Sequence, residues 1–195
     1  MMNRSSKISA KIHRLTQFIC DLHHSSIFES HPINNEVKNM NEKIITVTGH
    51  KNCGKDIIAQ RLSKYENVSY IKPYTDRELP QNAEPIDLEK YHYVLPTVME
   101  DLLRDEKVLA KTEVNGHLYV FFEFQMRDEY NVLIADDYAV ISIKDNFDGR
   151  VITVRVVSEN ETESDRVGEY LYAHEFDYFI DYDKYDLDDL RGLVG

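Results

Sequence analysis

The residues with the most specific chemistry are Gly49-His50-Lys51-Asn52-Cys53-Gly54-Lys55-Asp56. Their spacing is that of a phosphate-binding loop, Gly-x-x-x-x-Gly-Lys, with Asp56 where a Ser or Thr is expected. A triphosphate needs several backbone N–H groups pointing inward. The N-terminus of a helix supplies them, together with the positive end of its dipole. Glycine at both ends lets the chain wrap closely without a Cβ. Lys55 is placed to reach the outer phosphate oxygens. Asp56 offers Mg²⁺ a hard oxygen in place of the usual hydroxyl. Gly49 to Asp56 and the following Ile57 form the expected nucleotide-binding set. Cys53 reads either as a small filler of the loop or as a reactive thiol.

Such a loop works only between a strand and a helix, and the flanking residues predict both. Lys43–Thr48 is apolar and alternating, and residues 56–65 carry a helical pattern through Ile57, Ile58, Ala59 and Leu62. Residues 68–71 read as a short strand. The two prolines of 72–80 read as a loop, which Pro85–Lys90 continues. Residues 91–94 are strand-like. Residues 97–105 read as a helix with Thr97 as a candidate cap. Val108–Val114 and residues 117–124 alternate around Asn115-Gly116, a hairpin signal. The apolar run 131–135 ends at Asp136-Asp137. Residues 151–157 are β-branched, 159–174 suggest a polar helix, 176–180 a strand and Leu187–Val194 a closing helix. Strands alternating with helices predict an α/β fold with three layers and a parallel central sheet. The hairpin predicts a small β-rich insertion at about 72–124, and a short lid is expected at about 158–175. The ligand crevice belongs at the carboxyl end of the first strand.

With 195 residues, 42 % hydrophobic and 30 % charged, the chain is long enough for one domain with a real core. A net charge of −12 repels a nucleic-acid backbone, so no nucleic-acid partner is expected. No apolar run is long enough to span a membrane. Two cysteines, Cys20 and Cys53, give no disulfide framework and point to a reducing, cytoplasmic setting. Monomer and homodimer both stay open. Residues 1–39 differ from the rest, being basic and holding four of the eight histidines. They read as a non-core extension, as a targeting segment, or as leader preceding a true start at Met40. The last is the favoured expectation, because Glu36-Val37 is codable as a ribosome-binding sequence just upstream of Met40.

From about residue 40 to 194 the chain resembles the guanylate kinases, a branch of the nucleoside-monophosphate kinases. Thr75-Asp76-Arg77 resembles the family's Thr-Thr-Arg, and Tyr91-His92-Tyr93 its Tyr-His-Phe. Val108-Leu109 and the following Glu113-Val114-Asn115-Gly116-His117-Leu118-Tyr119 resemble its Phe-Leu-Glu and Glu-Val-His-Gly-Asn-Tyr-Tyr. His174-Glu175-Phe176-Asp177-Tyr178-Phe179-Ile180 resembles its closing Glu-Phe-Asp-Tyr segment. The resemblance implies transfer of the γ-phosphoryl group of ATP to GMP or dGMP, with Mg²⁺, beneath a closing lid. It implies that Lys55, Arg77 and Arg166 stabilise the transferred charge. It implies an acceptor site of Thr75, Arg77, Tyr91, Glu113, Tyr119 and Asp136, and a metal set of Asp56, Asp136 and Asp137. Read on their own, Tyr91 and Tyr119 also suit a core, and Asp136-Asp137 also suits the cap of a following helix.

The chain departs from that pattern at several points. The family's second phosphate-binding arginine falls near Pro80-Gln81 and is missing. The acid that reads the guanine edge aligns with Ala110. The Gly and Ser/Thr after the tyrosine pair are Val120 and Phe121, and Arg166 is the one arginine between 158 and 175. The Gly-x-Lys-x-x-Gly-Lys-Asp form of the loop also resembles viral deoxynucleoside-monophosphate kinases and animal phosphomevalonate kinases. Three expectations therefore stand: a (d)GMP kinase, a kinase for another deoxynucleoside monophosphate, and a non-catalytic binding module of the same fold.

Overall fold

The computed structural model describes residues 42–83, 85–159 and 176–194. The expected extension 1–39, nearly all of the expected lid and polar helix, and Arg166 lie outside the described residues.

Strand β1 (Lys43–Thr48) is the middle of a five-stranded sheet. Its neighbours are β7 (Tyr130–Ile134) on one side and β8 (Arg150–Val157) on the other, both parallel to it. Strands β2 (Val68–Tyr70) and β9 (Tyr178–Asp181) close the edges, giving the all-parallel order β2-β7-β1-β8-β9. Side chains alternate along a strand, so each one feeds two cores. Ile45 and Val47 of β1 enter a cluster with Ile58, Ala59 and Leu62 of helix α1 (Lys55–Leu62) and with Leu190 and Leu193 of the closing helix. Ile44 enters the opposite cluster, with Leu133 of β7 and Ala139, Val140 and Ile143 of a helix at Asp137–Asn146. Helices thus cover both faces, as a buried parallel sheet requires.

The insertion forms a second sheet of order β4-β3-β6-β5. Its strands are β3 (Tyr74–Thr75), β4 (His92–Tyr93), β5 (Val108–Val114) and β6 (His117–Phe122). Asn115 (φ 54°) and Gly116 (φ 77°) turn the β5–β6 hairpin in the left-handed region, as the Asn-Gly pair demands. Between the sheets' segments lie helices α2 (Pro85–Lys90) and α3 (Pro96–Asp105). Residues 85–90 are therefore helix, not loop. Pro85 stands at the first helical position, where its fixed φ helps and its missing N–H is not needed. The same logic moves the start of α3: Pro96 opens the helix and Leu95 is the cap residue, so Thr97 lies inside the first turn.

One face of the small sheet packs Tyr74, Val120 and Phe122 on Met99 of α3. The other face carries Phe121 into the core beside the large sheet. Tyr119 precedes Phe121 by two residues, so it projects from that same face beyond the core's edge. This alternation aims the tyrosine-bearing face of the insertion toward the main body.

After β7 the chain turns at Asp136 into α4 (Asp137–Asn146). The Asp136 carboxylate accepts the Ala139 N–H at 2.7 Å and caps the helix. Asp136→Ala is expected to lower stability by about 1 kcal/mol, and Asp136→Asn to keep most of it. Urea unfolding midpoints of the two variants check this. The final helix, α5 (Leu187–Val194), closes the chain. No helix among the described residues is long and apolar enough to cross a membrane.

Candidate active site

The loop leaves β1 at its carboxyl end and enters α1. Gly49 (φ 151°), Asn52 (φ 67°) and Gly54 (φ 93°) give it its curvature. A Cβ on Gly49 would lie 2.5 Å from both the Val156 carbonyl oxygen and Cys53 Sγ. A Cβ on Gly54 would enter the ring of Tyr182. The loop is thus pressed against β8 and against the turn after β9. Cys53 is fully buried beneath it, which suits a filler rather than an accessible thiol. Lys55 folds back over the loop and donates to the His50 carbonyl at 2.8 Å. Ile57 and Ile58 donate to the Gly54 carbonyl, whereas the first N–H groups of a helix, here those of Lys55 and Asp56, have no intrahelical acceptor and suit an anion.

Behind the loop lies a polar network that the sequence reading did not assemble. Thr48 Oγ1 donates to Asp137 Oδ1 at 2.7 Å, and Arg155 Nη1 lies 3.2 Å from the same oxygen. Arg155 is register partner to Thr48 and is only 4 % exposed. The carboxylates of the predicted metal set are thus in different situations. Asp136 caps α4, Asp137 is held by Thr48 and Arg155, and Asp56 stands half-exposed in the first turn of α1 with Lys90 Nζ at 3.6 Å. Among the described residues, no cluster of three or more His, Cys, Asp or Glu side chains forms a metal site by itself. Mg²⁺ bound along with phosphates asks for only one or two carboxylates, and Asp56 fits that need.

The predicted acceptor residues divide. Thr75, Arg77, Tyr91 and Tyr119 come together. Arg77 stands over the rings of Tyr91 and Tyr93, 5.4 and 5.7 Å from their centroids. Tyr91 packs edge-on against Tyr119 at 5.5 Å and Tyr93 at 5.9 Å. The Thr75 hydroxyl accepts the Arg77 backbone N–H at 3.2 Å. Glu113 is exposed near the hairpin tip, opposite Leu118, and makes no described hydrogen bond or ion pair with this group. Tyr93 belongs to the cluster and was not among the predicted site residues. The Tyr91-x-Tyr93 spacing carried the signal, because residues two apart on a strand share a face.

Electrostatics join cluster and loop. Burial pushes the Tyr91 phenol up, the neighbouring Tyr119 adds to this, and Arg77 opposes it. Asp56, across the cleft in α1, also acts on Tyr91. Tyr70, on edge strand β2, is pushed up to about 12, first by burial and then by Asp56 and Tyr91. A phenol whose folded pKa exceeds its unfolded value near 10 stabilises the fold fully below pH 10. That contribution is lost as pH rises from 10 through 12. Wild type is expected to lose about 2 to 3 kcal/mol more stability over that window than Tyr70→Phe, as checked by denaturant unfolding at each pH.

No protein-family model matches this sequence, and no curated protein matches it. Among solved structures the fold is similar to guanylate kinase from Anaplasma phagocytophilum, with a TM-score of 0.54 and 15 % identity. The similarity covers 78 % of this chain and 81 % of that one. The chain has a guanylate kinase-like α/β fold: the five-stranded parallel sheet and the separate small mixed sheet are both present.

Proposed function

We propose that this chain is a nucleoside-monophosphate kinase that moves the γ-phosphoryl group of ATP to GMP or dGMP, giving ADP and (d)GDP. The observation that supports the reading is the closeness of the loop helix to the tyrosine cluster: Lys90 of α2, next to Tyr91, reaches Asp56 of α1, and Asp56 acts on Tyr91. In this reading the loop with Lys55 and the Arg77–tyrosine cluster are two anion sites that share one cleft. Donor and acceptor phosphates held at these two places would approach each other. Transfer of this kind asks the protein mainly to position groups and neutralise charge.

In this reading Gly49 to Ile57 hold ATP, and Lys55 exchanges the His50 carbonyl for a phosphate oxygen. Asp56 would hold Mg²⁺, with Asp136 and Asp137 behind it. The metal would supply charge neutralisation along the phosphates. Arg77, Tyr91 and Tyr119 would grip the acceptor, with the buried Thr75 behind them holding the Arg77 backbone and Asp136 as an outer member. Arg166 would add charge from the lid.

One observation favours a second acceptor. Ala110, at the place the resemblance gives to the guanine-reading acid, is fully buried with Leu109 and Phe121 against α4. Base selection must then come from other residues, and another deoxynucleoside monophosphate is the second reading. A non-catalytic module has no use for Lys55 poised over an intact loop.

ADP release with Mg-ATP, measured against each ribo- and deoxynucleoside monophosphate, tests the proposal. Preference for GMP or dGMP supports it. Turnover of another monophosphate moves it to the second reading, and Mg-ATP binding with no turnover refutes both. In the same assay Arg77→Ala is expected to raise the acceptor KM by about 10- to 100-fold, the worth of a charge-assisted hydrogen bond. The KM for ATP should stay unchanged.

A further inference from the structure

We propose that Tyr93 is the positioning residue that fixes Arg77 for the phosphate of the acceptor. The inference rests on the kinase reading and deepens its acceptor site.

Its basis is a row of residues across the small sheet. Tyr93, Thr75 and Tyr119 are register partners on β4, β3 and β6. Residues in one row project from one face. Thr75 is short and fully buried, so the row is two phenols with a gap between them. Arg77, two residues after Thr75, comes back over that gap. Its backbone is tied to Thr75 Oγ1 at 3.2 Å, and its Nη2 donates to the Tyr93 hydroxyl at 2.9 Å.

The Tyr93 contact is the one side-chain hydrogen bond that orients the guanidinium among the described residues. No described carboxylate pairs with Arg77. The adjacent Asp76 is turned to the hairpin, where it accepts the Leu118 N–H at 2.8 Å and lies 3.6 Å from His117. Arg77 Nε is buried without a hydrogen-bond partner. A guanidinium carries five donors in a rigid fork and no acceptor, and its best complement is a carboxylate or a phosphate. Among the described residues the protein supplies neither. It supplies phenols, which hold the fork in place without cancelling its charge. That leaves a fixed cation beside the phosphate loop, suited to a phosphate monoester. A flexible arginine in water would lose entropy on gripping the same group. Holding it beforehand removes that cost.

Binding of ribose 5-phosphate, a phosphate monoester with no base, tests this by titration calorimetry. The full chain carries Lys55→Ala throughout, so that the loop lysine does not contribute. Adding Tyr93→Phe is expected to weaken binding about tenfold with an unchanged thermal midpoint. Adding Tyr93→Phe to Arg77→Ala should weaken it no further, because Tyr93 acts through Arg77. In the Lys55-containing enzyme, Tyr93→Phe should raise the acceptor KM and leave kcat and the ATP KM near wild type. Three results overturn the inference: no ribose 5-phosphate binding in the parent, equal binding with and without the Tyr93 hydroxyl, or an undiminished Tyr93→Phe effect when Arg77 is absent. Binding needs no transfer. If the Lys55→Ala proteins show the expected binding pattern while the Lys55-containing enzyme releases no ADP, the Tyr93–Arg77 grip stands and the kinase is refuted.

Discussion

Lys55→Ala is expected to reduce ADP release by about 10²- to 10³-fold, the scale for losing one preorganised donor to developing charge. Mg-ATP binding should weaken with it. The side chain crosses the loop to the His50 carbonyl and is not part of either large core cluster. Its removal therefore leaves the fold standing, and the loss will be one of charge. Turnover in Lys55→Ala within a few-fold of wild type, with the same ATP affinity, would show that this loop does not hold the phosphates. An Arg at the same position should not rescue, because the longer planar group does not fit a close backbone cradle.

Gly49→Ala carries the largest expected cost to the fold. The position has φ 151°, and its Cβ would meet the Val156 carbonyl oxygen at 2.5 Å. That oxygen is main chain of β8, an interior strand of the parallel sheet, so it cannot swing aside as a side chain would. A loss of about 2 to 4 kcal/mol is expected, lowering the melting temperature by roughly 5 to 15 °C. ATP binding should fall as well, since the loop must lift from β8. Gly116→Ala is the internal comparison. Gly116 also has positive φ, at 77°, yet nothing lies within 4 Å of its Cβ. Backbone strain alone should cost it about 1 kcal/mol. Similar melting temperatures for the two variants would mean that the close approach to β8 is wrong.

Much of the architecture was legible because it follows from local rules. The alternation in Lys43–Thr48, the glycine spacing of the loop and the Asn115-Gly116 turn each depend on a few neighbouring residues. Each is present where the sequence places it. The missed helix at Pro85–Lys90 has a local cause too: the same proline that breaks a helix inside is welcome at its first position. The two aspartates after β7 were ambiguous for a different reason. A carboxylate that caps a helix and one that joins an ion pair are chemically alike, and only their surroundings separate them. Asp136 turns to Ala139, and Asp137 turns to Thr48 and Arg155.

The sequence by itself determined the phosphate loop, its strand and helix, and the pairing of the hairpin. These are set by backbone preferences within a few residues. Only the tertiary structure decided which side chains share the cleft. Arg77 follows β3, Tyr91 and Tyr93 come from the segment of β4, Tyr119 comes from β6, and Lys90 meets Asp56 from a different helix. Their meeting depends on the register across β4, β3 and β6 and on which face of the small sheet packs against the large one. Register and facing are fixed by burial over the whole domain, a nonlocal condition that no short window of residues contains.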